Sequence, residues 1–202
     1  MSDPSSPSSE PNADHSTDHD VIDILMTDHR EVEEMFAELE GLFGPGADAD
    51  RRREVTDNVT IELVRHAVAE EVAVYPRVKD KVSAEEAERA KREHAEAEET
   101  MKRLEKMDSD DPRFEAEMRT LMTEIREHVA EEEGQMFPHM RTVFTDEELV
   151  DMGRHVAAIK KMAPTRPHPN VPNEALPRLA AGPVAGLFDR LRDLATGRGS
   201  SS

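Results

Sequence analysis

Two stretches decide how this chain folds: HAVAEEVAVYP at residues 66–76 and HVAEEEGQMFP at residues 128–138. Both read His-x3-Glu-Glu-x3-aromatic-Pro, and matched positions stand 62 residues apart throughout. A spacing of four puts His66 beside Glu70, and His128 beside Glu132, on one face of a helix. Upstream, the same face is apolar. Val55, Val59 and Leu63 lead into His66, while Phe114, Met118, Leu121 and Ile125 lead into His128. Two more histidines sit in such stripes: His29 in the series 22, 25, 29, 32, 36, 39, 43, and His94 in the series 87, 90, 94, 97, 101, 104. Steps of three and four mark amphipathic helices, and here each inward stripe carries one imidazole.

The stripes define four helices between Asp20 and about Phe144. The first stops at Gly44-Pro45-Gly46, and the second runs from about Ala49 to Lys79. The third spans Ser83 to Met107, with Ser83 and Glu86 forming a capping box. The fourth follows Asp110-Asp111-Pro112, with Pro112 suited to its first turn. Pro76 and Pro138 kink or end their helices just past the two motifs. Short connections make sequential helices antiparallel neighbours, so the expected fold is all-α, an up-down-up-down antiparallel four-helix bundle. Thr145 with Glu148 signals a short fifth helix reaching about Lys161. The expected organisation is a disordered acidic tail over 1–19, the bundle over 20–145, the added helix over 146–162, and a Pro-rich linker over 163–202. That linker carries a short amphipathic segment, Val184 to Ala195.

The chain has 202 residues, 36% hydrophobic and 35% charged, enough for one domain with tails. A net charge of −19 argues against a nucleic-acid partner, because phosphate binding needs clustered cations. The absence of Cys rules out disulfides, thiolate metal sites and a cysteine nucleophile. The N-terminal MSDPSSPSSEPN lacks the regions of a signal peptide, and no apolar run is long enough to span a membrane. A soluble cytoplasmic protein without a membrane partner is the expectation.

Carboxylates on an inward stripe need a counter-charge, since burying one alone costs several kcal/mol or strips its charge. The stripes hold no Lys or Arg to pair with Glu70 or Glu132. A metal ion supplies the missing charge, and neutral imidazoles supply nitrogen ligands. Two helix hairpins, each contributing one His and one His-x3-Glu, would pack about a pseudo-twofold axis with a two-metal site upon it. Imidazole and carboxylate without thiolate suit iron ahead of manganese or zinc. Glu71 and Glu133, one residue off the stripe, are read as solvated groups or as groups holding ligand imidazoles. Tyr75 and Phe137 are read as packing residues, with Tyr75 also able to donate a hydrogen bond near a metal. Met101, Met118 and Met122 are read as gap fillers, and His15, His19, His139, His155 and His168 as surface or linker residues.

The order His, His-x3-Glu, His, His-x3-Glu, with aromatic-Pro after each Glu-Glu, resembles the hemerythrin-like family of HHE cation-binding domains over roughly residues 20–145. The resemblance implies a non-haem centre of two iron ions, oxo- or hydroxo-bridged. His29, His66, His94 and His128 would be terminal ligands, with Glu70 and Glu132 bridging. Oxygen-carrying members resemble His-x3-His on the third helix, whereas His94 is followed by Glu98. Glu98 is therefore a candidate seventh ligand, or that position is left to water. Either arrangement favours redox chemistry over reversible carriage. The implied small molecule is dioxygen, peroxide or nitric oxide. The alternatives are an iron- or oxygen-sensing module with a protein partner for the C-terminal tail, and a weak catalase- or peroxidase-like enzyme using Glu98.

Overall fold

Asp20 opens the first helix, α1 (Val21–Gly41), its carboxylate accepting the Asp23 N–H at 3.0 Å. Asp48 does the same for α2 (Ala49–Ala73), where Oδ1 accepts from the N–H groups of Asp50 and Arg51. Each cap satisfies amide donors that have no partner within the helix. In this computed structural model residues 19–163 are described, and among them helices are the only regular elements. The tail over 1–18, the Pro-rich linker and the Val184–Ala195 segment lie outside the described residues. Gly44 and Gly46, at φ +95° and +84°, turn the chain between α1 and α2 in a backbone region costly for other residues.

The second bundle member is α2 continued, after a break at Val74, by α3 (Tyr75–Lys81), with Pro76 in its first turn. The third is α4 (Ala84–Glu105), capped by Ser83. Its capping box does not close, because Glu86 gives its carboxylate to His139 Nδ1 at 3.0 Å. The fourth comprises α5 (Phe114–Glu131), one π turn (Glu132–Met136) and α6 (Phe137–Val143). Pro138 has no N–H to return to Gly134, and the preceding Phe137 N–H donates five residues back to Glu132. Pro112 stands ahead of α5 rather than inside it. The Phe114 N–H bonds Asp111 O at 2.9 Å, closing a turn before the helix starts.

Helices α1 with α2, and α4 with α5, form the two antiparallel hairpins of the expected four-helix bundle. The fifth helix, α7 (Asp146–Met162), starts with a closed capping box between Thr145 and Glu148 and lies across α1 and α2. Gly153 permits this approach, since a Cβ there would meet His19 O at 2.8 Å. Two apolar clusters fill the interior. One gathers Ile22, Leu25, Tyr75, Phe137, Met140 and Met152, and the other gathers Phe36, Leu63, Met101, Phe114, Leu121 and Ile125. Between them lies a belt of buried polar side chains: His29, His66, Glu70, His94, His128 and Glu132. Among the described residues no helix is long and apolar enough to cross a membrane.

Candidate metal centre

The stripes deliver the belt as the spacing predicts. His29 Nε2 and His66 Nε2 approach to 3.3 Å, and His94 Nε2 and His128 Nε2 to 3.2 Å. The ring pairs match in tilt, both at 58°, and in separation, 4.9 and 4.7 Å, as a pseudo-twofold requires. Each glutamate stands between the pairs. Glu70 Oε2 is 3.1 Å from His66 Nε2 and 3.4 Å from His94 Nε2. Glu132 Oε2 is 3.4 Å from His29 Nε2 and 3.5 Å from His128 Nε2. Two nitrogens bound to one ion at roughly 2.1 Å, about 100° apart, would stand roughly 3.2 Å from one another, close to both observed pairs.

The donor set therefore fits a cation at each imidazole pair, with Glu70 in reach of both and Glu132 Oε2 near one imidazole of each. An independent sign is that Glu70 Oε1 and Glu132 Oε2 are buried yet make no hydrogen bond. Orphaned carboxylate oxygens in an apolar interior are costly and call for a partner. His29, His66, Glu70 and Glu132 form one group able to hold an ion, and Glu70, His94 and His128 another.

Every imidazole is propped from behind by a carboxylate. His66 Nδ1 meets Asp28 Oδ2 at 3.1 Å, and His128 Nδ1 meets Glu93 Oε2 at 2.8 Å, both within one hairpin. His94 Nδ1 meets Glu71 Oε1 at 3.2 Å, and His29 Nδ1 meets Glu133 Oε1 at 2.8 Å, both across hairpins. Such contacts orient the ring and leave Nε2 free to face a metal. Glu71 and Glu133 take up this propping role, one of the two readings their positions allowed. Asp28 and Glu93 were missed, although each directly precedes a stripe histidine and the repeat Asp28-His29, Glu93-His94 was visible. Replacing any one of the four by Ala is expected to weaken metal affinity about 10–100-fold with little change in helix content. Titration with a competing chelator measures this, and unchanged affinity in all four would sink the assignment.

Tyr75 is more than packing. Its hydroxyl donates to Glu132 Oε1 at 2.9 Å and Glu70 Oε2 at 3.1 Å, and it lies 3.2 Å from His94 Nε2. Its repeat partner Phe137 has no hydroxyl and stacks on His29 at 5.9 Å. The phenol is thus the principal break in the pseudo-symmetry. Burial and the two carboxylates hold its proton on, pushing its pKa well above the ordinary value. Without a cation, burial opposes charge on His66, but Glu70 and Asp28 outweigh it and raise the pKa to about 10. For His94 burial is likewise outweighed, by Glu70 and Glu71, giving about 9. Glu70 is buried, yet His66 and His94 hold its carboxyl well below the usual range. Protons thus stand in for the positive charge the carboxylates demand.

Glu98 does not join the cluster. Its Oε1 pairs with Lys102 Nζ at 3.1 Å, one turn further along α4. His139 and His155 lie at the surface, bound to Glu86 and Asp151. Beside the four imidazoles a cavity of about 30 Å³ is walled by apolar side chains including Val32, Leu63, Ala97, Met101 and Ile125. A groove between α1 and α5 shares His29, Val32, Ile125 and Val129 with it and opens outward beside Arg126, which Glu33 and Glu40 hold.

A family model described as the hemerythrin HHE cation binding domain matches residues 20–140. An uncharacterised hemerythrin-like protein of Schizosaccharomyces pombe is 29% identical over 178 residues, covering 86% of this chain and 85% of that protein. A protein named DNA nickase, from a Nostoc species, is 24% identical over 143 residues, 71% of this chain but only 40% of its own length. The crystal structure of a hemerythrin HHE cation-binding domain-containing protein from Mycobacterium kansasii superposes with a TM-score of 0.62 at 23% identity. It covers 85% of this chain and 98% of the other.

Proposed function

Because the chain belongs to the family of hemerythrin HHE cation-binding domains, we propose that it is a non-haem two-iron protein that binds dioxygen or a related small oxidant, peroxide or nitric oxide. The observation carrying this reading is the pair of glutamates, each set between imidazoles of both pairs, each with an oxygen left without a hydrogen bond. His29 and His66 would hold one ion, His94 and His128 the other, and Glu70 and Glu132 both. Imidazole with carboxylate favours iron over manganese or zinc. Two such ions would supply the redox chemistry that binding a small oxidant needs.

The protein's own groups set the conditions. Asp28, Glu71, Glu93 and Glu133 orient the four rings. The cavity has room for a molecule of about two heavy atoms, since a single water needs only roughly 10–15 Å³ of such volume. Its apolar walls keep bulk water from the cluster and favour a neutral guest. Tyr75 keeps its proton beside both carboxylates, its hydroxyl oxygen 2.9 Å from Glu132 Oε1 and 3.1 Å from Glu70 Oε2. Glu98, the acid–base group of the catalase- or peroxidase-like alternative, is engaged by Lys102 instead. That alternative therefore lacks its named residue, and binding is the better supported reading.

Metal analysis joined to absorption spectra under air, nitrogen and peroxide tests the proposal. About two irons per chain and a ligand-to-metal band responding to the gas are expected. An iron-free protein, or a spectrum indifferent to all three atmospheres, would overturn it. Uptake must also displace protons, because His66 and His94 titrate near 10 and 9 in the metal-free chain. At pH 7 both hold a proton that metal binding expels, so affinity rises with pH up to about 9–10 and then levels. Calorimetry in buffers of different ionisation enthalpy counts those protons. Uptake without proton release would contradict the electrostatics.

The same shifts fix the sign for the metal-free fold. Groups whose pKa is raised on folding stabilise fully below the unfolded value of 6.5, and this is lost as pH rises through about 9–10. Glu70, whose pKa is lowered, stabilises above 4.5 and loses this in acid. Metal-free stability should therefore peak between these limits, in mild acid.

A further inference from the structure

The family match ends at residue 140, and α7 lies beyond it. Lys160, in the last turn of α7, donates from Nζ to Asp28 Oδ1. Asp28 Oδ2 meets His66 Nδ1 at 3.1 Å, and His66 Nε2 stands 3.1 Å from Glu70 Oε2. A continuous polar line thus runs from the added helix to the middle of the cluster. The ammonium is mostly sheltered, its side chain 19% exposed, and Asp28 is 10% exposed. This shelter separates the contact from ordinary surface pairs, which contribute little.

The other half of the centre is built differently. Glu93 props His128 as Asp28 props His66, but its nearest cation, Arg89, is 3.8 Å away and is committed to Glu131 and Gln135. Glu93 is also more exposed, at 25%. One prop is therefore anchored by a cation from outside the bundle, and the other is left to its own helix. A carboxylate pinned at one oxygen keeps the second aimed at its imidazole, so the ring loses less freedom when it binds an ion.

We propose that Lys160 is a positioning residue for His66, through which α7 makes the His29/His66 half of the centre slower to release its ion than the His94/His128 half. This rests on the two-metal reading above. Gly153 supports it, since the close passage of α7 over residues 19–21 sets where Lys160 falls.

The test uses the full chain loaded with ferrous iron under nitrogen, with release followed by a colour-forming iron chelator. The wild type should release iron in two phases. Lys160→Met should accelerate the slow phase about tenfold, the size of a lost prop to a ligand, while the fast phase stays put. Lys160→Arg should restore it, and Lys161→Met, one residue along, should change nothing. Equal acceleration of both phases would mean general loosening and would overturn the proposal, as would no change or slower release. A second readout needs no metal. In the metal-free protein labelled with 15N-histidine, Lys160→Met should speed exchange of the His66 Nδ1 proton with water and leave those of His94 and His128 unaltered. If the chain takes up no iron but the His66 proton responds, the functional reading fails and the positioning role stands. If two irons bind and neither readout moves, the positioning role fails alone.

Discussion

Stripping the metal with a strong chelator is expected to lower the melting temperature by roughly 15–30 °C. Each ion held at about a thousand times its dissociation constant adds about 4 kcal/mol to the folded state. In a domain of this size a kilocalorie moves the midpoint by about 2–4 °C. The reason lies in the belt between the two apolar clusters, where six polar side chains interrupt a core that would otherwise be continuous. Protons on His66 and His94 offset part of the carboxylate charge, but Glu70 Oε1 and Glu132 Oε2 still make no hydrogen bond. Scanning calorimetry before and after chelation, with iron added back, measures the difference. Melting curves that coincide would mean that the cluster holds itself together without cations.

The second large effect separates bridging from terminal positions. Glu70→Ala and Glu132→Ala should each reduce iron to well under one per chain, because both carboxylates stand between imidazoles of the two pairs. His66→Ala removes one nitrogen from one pair and should leave about one iron, held by His94 and His128 with the shared carboxylates. Iron content by elemental analysis, on variants checked for helicity by circular dichroism, gives the answer. Should the alanine at Glu132 retain one ion while that at His66 retains none, the pairing of rings described above would be wrong. Glu70→Ala has a further signature in the metal-free protein. Both His66 and His94 owe part of their raised pKa to Glu70, so both should titrate lower once it is gone.

The inward set was legible because helical periodicity is strict. A histidine at a stripe position must face the interior, whatever else the chain does, and the 62-residue repeat made coincidence implausible. The bundle followed from the same stripes and the short connections. The repeat also bears on Glu98. Shifted back by the 65 residues that separate His94 from His29, it corresponds to Glu33, which the structure leaves exposed and paired with Arg126. Asp28 and Glu93 escaped notice because a residue one position off the stripe looks solvated until the neighbouring helix is in place. The role of Tyr75 was half visible: its hydroxyl could donate, but only three-dimensional packing shows that it meets both glutamates. Where α7 docks was not legible at all, since its stripe tells which face is apolar and not which groove receives it. The π turn likewise needed Pro138 and the preceding amides seen together.

The division of ligands between hairpins bears on how the molecule is made. During synthesis α1 and α2 emerge first, carrying His29, His66, Glu70 and the prop Asp28, while Glu132, the fourth member of that ion-holding group, comes only with the second hairpin. His29 lacks its own prop, Glu133, until the fourth bundle member has left the ribosome. An ion caught by the nascent half would sit in an unfinished and water-exposed pocket. Both ion-holding groups are therefore complete only once the second hairpin has closed over the first.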